Sequence, residues 1–229
     1  MRTANITLLA IIIFVLLSCN VDELLNEIAD EKITAKEKIG AVINTAKSNF
    51  AADAELAAIY GREVDTEGKV ILLNTSTVSA FVYVVQSDSV ASANPPEANQ
   101  FYVPLIGSEP VKSPVNFSTM LSFIKDTTAN NIMGTVFGTL ATVSVGASAV
   151  YDDSPQVLNL MLSRSDVTNF RITNPESKID MFLVPSKSLD STNVNNTADW
   201  IVNFYGDTSS LVLWLHPGNS TGDIDLLSD

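Results

Sequence analysis

Residues 198–218 read ADWIVNFYGDTSSLVLWLHPG, and this stretch decides the fold. Two runs rich in Val, Leu, Trp, Phe and Tyr flank a turn at Gly206-Asp207-Thr208, the pattern of a β-hairpin. Upstream, DVTNFRI (166–172) and KIDMFLVPS (178–186) also read as strands, so four strand-like segments follow one another. A helix precedes them. Ser154 suits an N-cap and Pro155 the first helical position, while Val157, Leu158, Met161 and Leu162 supply a short apolar stripe.

The same order occurs earlier in the chain. Ile39, Ile43, Ala46, Phe50, Ala54 and Ala57 recur at three and four residues, which predicts a long helix from about Ile33, with Gly61 after Tyr60 as its C-cap. Lys36, Lys38, Asn44, Lys47, Asp53 and Glu55 form its polar face. The period then switches to two. TVSAFVYVVQSD (77–88) and NQFYVPLIGS (99–108) predict strands, joined by an exposed connection, SVASANPPEA (89–98). EPVKSPVNF (109–117) suits a sheet edge, because Pro110 and Pro114 cannot donate to a central ladder. Residues 127–151 contain no charged side chain but are rich in Thr, Ser, Asn and Gly, which is too polar for a lipid-facing helix and suits a connecting region with one or two buried strands.

Helix then strands, twice, predicts an α+β protein of two tandem modules, each a helix packed on an antiparallel sheet. The expected division is a signal at 1–18, an acidic tether at 19–32, a first module at 33–117, a connecting region at 118–150 and a second module at 151–229.

The N-terminus supplies an address. The apolar run from Ile6 to Leu17 would rise only about 18 Å as a helix, against about 30 Å of hydrocarbon. With Arg2 before it and Ser18 after it, the run reads as a cleaved export signal. Leu16-Leu17-Ser18-Cys19 resembles the bacterial lipobox, in which the cysteine is acylated and becomes the first residue of the mature chain. Cys19 is the only cysteine, so an exported protein would carry a lone thiol unless lipid occupies it. In such lipoproteins an aspartate after the cysteine favours inner-membrane retention; Asn20 stands there instead and leans toward the outer membrane.

The formal charge is −13, and losing residues 1–18 would remove Arg2 alone, leaving −14. Such a chain repels phosphate backbones, so nucleic acid is not an expected partner. Apolar residues at 46% against 17% charged are enough to bury a core, so disorder is expected only at short ends. Asn74, Asn116, Asn195 and Asn219 each begin an N-x-S/T tripeptide, but the lipobox argues for a bacterial source.

AELAAIYGREVDTEGKV (54–70), FVYVVQSD (81–88), QFYVPLIG (100–107) and DWIVNFYGDTSSLVLWLHPGNSTGDI (199–224) together resemble the helix-on-sheet modules of the PepSY type, and also the similarly built tandem β-lactamase-inhibitory proteins. The resemblance implies a binding or inhibitory domain of a secreted protein, with no catalytic set to transfer.

The residues themselves offer little chemistry. His216 is the only histidine, and a Ser/His/Asp triad would have to draw on Ser209, Ser210, Asp207 or Asp223, with no G-x-S-x-G elbow in the chain. A half-exposed turn histidine is the simpler reading. Asp152 and Asp153 are adjacent, but glycosidase chemistry needs carboxyls facing one another, and a helix start explains both. Asp223 and Asp225 lack the glycine and glutamate of a calcium loop, so neither metal nor cofactor is expected. Trp200, Trp214 and Tyr205 are candidates for an aromatic binding patch if Trp200, Val202 and Phe204 face one side and Trp214 pairs across; the alternative is that these rings fill the core. SVASANPPEAN (89–99) is a second candidate, as a recognition loop.

The function expected is thus a non-enzymatic envelope lipoprotein, membrane-bound through Cys19, that presents a protein- or peptide-binding surface. A cell-wall or glycan hydrolase and a structural component of a surface assembly are the alternatives. Mass spectrometry of the membrane-extracted protein is expected to give a chain that begins at Cys19 and carries acyl groups, and Cys19→Ala should abolish both the added mass and the membrane retention. An unmodified chain that leaves the membrane freely would refute the anchor.

Overall fold

The computed structural model describes residues 31–71, 80–91, 100–103, 105–106, 109–110, 112, 115–116, 145, 149, 151–186, 197–216 and 224–226. The expected signal, Cys19 and most of the expected tether lie outside these residues. So does the connecting region, apart from Val145 and Ala149.

The protein is α+β. Strand β1 (Lys32–Ile33) leads into helix α1 (Ile39–Asn49), then β2 (Glu55–Arg62), β3 (Val70–Ile71) and β4 (Ala80–Gln86). A single helical turn, α2 (Asp88–Ala91), precedes the short strands β5 (Gln100–Val103), β6 (Leu105–Ile106), β7 (Glu109–Pro110) and β8 (Val115–Asn116). The second run comprises α3 (Ser154–Leu162), α4 (Ser165–Thr173), β9 (Lys178–Pro185), β10 (Ala198–Tyr205), β11 (Ser210–Leu215) and β12 (Ile224–Leu226).

Eight strands make one sheet in the order β12-β11-β10-β9-β2-β4-β5-β8. Every neighbouring pair is antiparallel. The two helix-then-strand runs therefore share one sheet instead of holding one each, because β2 pairs with β9 through Ile59 to Leu183, Tyr60 to Phe182 and Gly61 to Met181. They also share one core. Val42 and Ala46 of α1, Val157, Leu158 and Met161 of α3, and Val167 of α4 pack with Ile59, Tyr83, Met181, Trp200, Val202 and Leu213 on one sheet face.

The long helix expected to end at Gly61 stops at Asn49, and residues 55–62 form a strand instead. β2 lies between β4 and β9 with Leu56, Ala57, Ala58, Ile59 and Tyr60 all buried, and a strand covered on both faces loses its alternation and so imitates a helical stripe. Gly61 is not a cap. A Cβ there would come within 2.6 Å of the Phe81 ring and 2.8 Å of Val64, so the glycine makes room for its strand neighbour. DVTNFRI is likewise helix α4 and not a strand. Val167 and Phe170 turn inward at helical spacing, and Asp166 favours the helix start while it pairs with Arg164 at 2.7 Å.

The expected edge is present, since β8 is one of the two outer strands, while Pro110 lies in the separate β6–β7 pair. Asp153 takes the N-cap position of α3, and Ser154 is its first helical residue. Freed from capping, the buried Ser154 hydroxyl accepts from the Ala35 N–H at 3.0 Å and donates to the Gly68 carbonyl at 2.6 Å. Asp153 Oδ1 accepts from the Lys36 N–H at 3.0 Å, and Lys36 Nζ donates to the Tyr151 carbonyl. Gly68 has φ of 76°, and a Cβ there would sit 2.6 Å from Pro155 Cα.

Three distant segments thus meet at one hydroxyl. Ser154→Ala would strand a buried N–H and a buried C=O, with an expected loss of about 1–3 kcal/mol in unfolding free energy. Gly68→Ala should cost more, through both its backbone conformation and the contact with Pro155. Urea denaturation at pH 7 measures both; two variants as stable as the parent would mean that this junction is not closed in solution.

Candidate functional site

At one end of the sheet, β10 finishes with Tyr205 opposite Lys178, and the chain reverses to β11 through a turn closed by Gly206 N–H to the Ser209 carbonyl at 2.9 Å. The segment after α4 runs alongside this turn. Asn174 ends the helix by donating to the Phe170 carbonyl from both its backbone N–H, at 2.9 Å, and its side chain, at 3.0 Å. Its Oδ1 accepts from the Ser209 hydroxyl at 2.9 Å, which ties the two segments together. Gly206 permits the approach, because a Cβ would meet Asn174 Oδ1 at 2.9 Å. Between them lies a hollow of about 510 Å³, lined by Asn174, Pro175, Glu176, Tyr205, Asp207 and Thr208 among others.

The wall behind Tyr205 is held from beneath. Asp180, 3% exposed, accepts from the Tyr60 hydroxyl at 2.8 Å, the Tyr205 hydroxyl at 3.3 Å and the Glu63 N–H at 2.9 Å. Glu63 adopts φ of 48°, which turns its N–H to the carboxylate, and its own side chain pairs with Lys178 at 2.7 Å. Tyr60 stacks on Phe182 with ring centres 4.8 Å apart. Burial pushes the Asp180 carboxyl up to about 6, against the opposing pull of these three donors and Arg62. Burial likewise drives both phenols upward, so they remain protonated donors.

At the other end of the same sheet face, Asp199 accepts from Ser186 Oγ at 2.5 Å and from Trp214 Nε1 at 2.8 Å. His216 lies against the Trp214 ring, with centres 4.0 Å apart. Its Nε2 is 3.0 Å from Asp225 Oδ2, and its Nδ1 is 4.0 Å from Asp199 Oδ2. The imidazole therefore meets a carboxylate on each side, and no serine stands at Nε2 among the described residues. Ser209 and Ser210 sit at the opposite end of β11, beside Asn174 and Tyr205, so the triad weighed from the sequence is not assembled. Asp223 is outside the described residues.

The aromatic candidates separate. Trp200, 1% exposed, is a core residue with Val202 and Phe204, and its indole N–H reaches the Asp152 carbonyl at 2.9 Å. Trp214 pairs with Ile201 and so faces the opposite side of the sheet. A shared Trp200–Trp214 patch is excluded by this alternation. Of the three, Tyr205 lines the hollow beside Asn174. Asp153 caps α3, its carboxylate accepting from the Ser154 N–H at 2.8 Å, while the Asp152 carbonyl meets Trp200. Ser89 of the proposed recognition loop instead meets Asp53, its N–H and hydroxyl both 2.8 Å from that carboxylate, at the start of α2; residues 92–99 lie outside the described set. No group of three or more His, Cys, Asp or Glu side chains gathers in a metal-binding arrangement among the described residues. Comparison with family models, curated proteins and solved structures gives no match to this chain.

Asp180 escaped the sequence reading, although a lone carboxylate inside KIDMFLVP was a signal. Its titration has a definite sign. The folded carboxyl binds its proton more tightly than the unfolded one near 3.9, so its contribution is fully present below about pH 4 and fades as pH rises through about 6. Asp53, held down to about 2 first by the Ser87 hydroxyl and then by Ser89, titrates below that window. Relative to the parent, Asp180→Asn should therefore gain up to about 3 kcal/mol between pH 4 and pH 7. Urea melts across this range test it, and parallel profiles for the two proteins would contradict the assignment.

Proposed function

We propose that this chain is a bacterial envelope lipoprotein, anchored by acylated Cys19 and more at home in the outer membrane, whose folded body is a non-catalytic binding module for a protein or peptide. The two helix-then-strand runs are read as a fused pair of PepSY-like modules. One observation carries the binding reading: the hollow beside Tyr205 stands on a fixed frame, while the polar atoms best suited to chemistry are already engaged. Tyr205 donates to Asp180, and Asn174 is held by Phe170 and Ser209. Glu176 and Asp207 have no ion pair among the described residues, so they are left to meet a ligand. Binding sites of this kind use loops on a rigid scaffold.

The hydrolase alternative has less support, because His216 is placed between two carboxylates with no serine beside it among the described residues. The assembly alternative rests on no particular contact.

A photo-crosslinking residue at Thr208, on the exposed rim of the hollow, tests the reading in living cells. Discrete protein adducts are expected from position 208, not from Lys47 on α1, and they should disappear when Cys19→Ala detaches the protein. His216→Ala should leave the adducts unchanged. Absence of any adduct at 208 in the anchored protein would remove the binding role assigned to this surface.

A further inference from the structure

A second hollow, of about 320 Å³, adjoins the first. Leu162, Val167 and Ile172 line it, and Pro175 belongs to both walls, so the two form one groove along the end of α4. The halves differ in chemistry. Ile172 is 72% exposed, a large apolar side chain in a helix whose other outward residues include Thr168, Asn169 and Thr173. Together with Leu162 and Val167 it gives this half an apolar lining that a docked side chain would cover. On the other side of Pro175, Tyr205 presents an aromatic wall whose hydroxyl is engaged behind it, and Glu176 and Asp207 add two carboxylates free of ion pairs among the described residues. Lys178, the cation of that hollow, is neutralised by Glu63 at 2.7 Å. Arg171 lines the apolar half.

Resting on the binding role proposed above, we infer that this groove takes an extended peptide segment that places an apolar side chain against Leu162 and Ile172 and a lysine or arginine against Tyr205, Glu176 and Asp207. An aromatic face flanked by carboxylates is a favourable seat for a desolvated cation. Arg171 opposes a cation at the apolar end, so the cation is assigned to the Tyr205 end of the groove. The overall charge of −13 draws a basic partner toward the protein and repels an acidic one.

The test uses the full-length protein in detergent and an array of synthetic hexapeptides carrying one basic and one apolar residue at every spacing and in both orders. Peptides carrying both residues at a spacing that spans the two hollows should bind. Replacing the basic residue by glutamate, or the apolar one by serine, should weaken binding about tenfold or more. On the protein, Glu176→Lys with Asp207→Lys, and separately Ile172→Ser, should each cause a similar loss while the unfolding midpoint stays unchanged, since Ile172, Glu176 and Asp207 are exposed. The first variant should also reduce the weakening by salt.

Spermidine binding as well as the peptides do would reduce the site to a small-cation pocket and overturn the inference. Adducts from position 208 without any basic-peptide binding would overturn the peptide chemistry but leave the binding role standing. Loss of both would remove both.

Discussion

Everything in this molecule depends on three residue pairs, those that join β2 to β9. On one side lie β4, β5 and β8, and on the other β10, β11 and β12; without the seam there would be two small sheets, each with a bare edge. The seam is narrow for what it joins. It is closed by side chains as much as by backbone: Gly61 leaves space for Phe81, Tyr60 stacks on Phe182, and the Tyr60 hydroxyl crosses to Asp180 at 2.8 Å. Asp180 in turn holds Tyr205, so the hollow at the sheet end takes its shape from the seam.

The two faces of the sheet divide the labour. One carries Trp200, Val202, Phe204 and Leu213 into the common core beneath the helices. The other carries the buried Asp180, Asp199 and Asn203 among Phe182, Val184 and Ile201. Carboxylates at both ends of that second face recruit the phenols of Tyr60 and Tyr205 and the indole of Trp214.

The hairpin of residues 198–218 was legible because its turn residues and its β-branched and aromatic runs agree, and both strands fall where the sequence puts them. Residues 54–62 misled for a physical reason: a strand buried on both faces shows no alternation, and its alanines suit a helix equally. Val167, Phe170 and Ile172 favour strands by residue type, yet the acidic first turn at Asp166 and the three-residue step from Val167 to Phe170 made helix α4. The shared sheet could not be read at all, since pairing between residues about 120 positions apart leaves no local trace. At the site, Tyr205 was named from its hairpin, but its partner Asp180 and the loop at Asn174 arrive only through the tertiary fold. Trp200 and Trp214 looked alike in sequence and are separated by strand parity, which depends on register alone.

The bond from Tyr60 to Asp180 spans 120 positions and that from Ala35 to Ser154 spans 119, so the fold closes late by construction. A chain with such distant contacts must finish long loops before its core can repay their entropy, and chains of this kind fold slowly. Local helix formation at α3 and α4 cannot commit the N-terminal half to anything until β9 exists to receive it. For the exported lipoprotein proposed above, slowness would be useful: the arrangement that unites the finished protein would also keep the nascent one loose enough to travel.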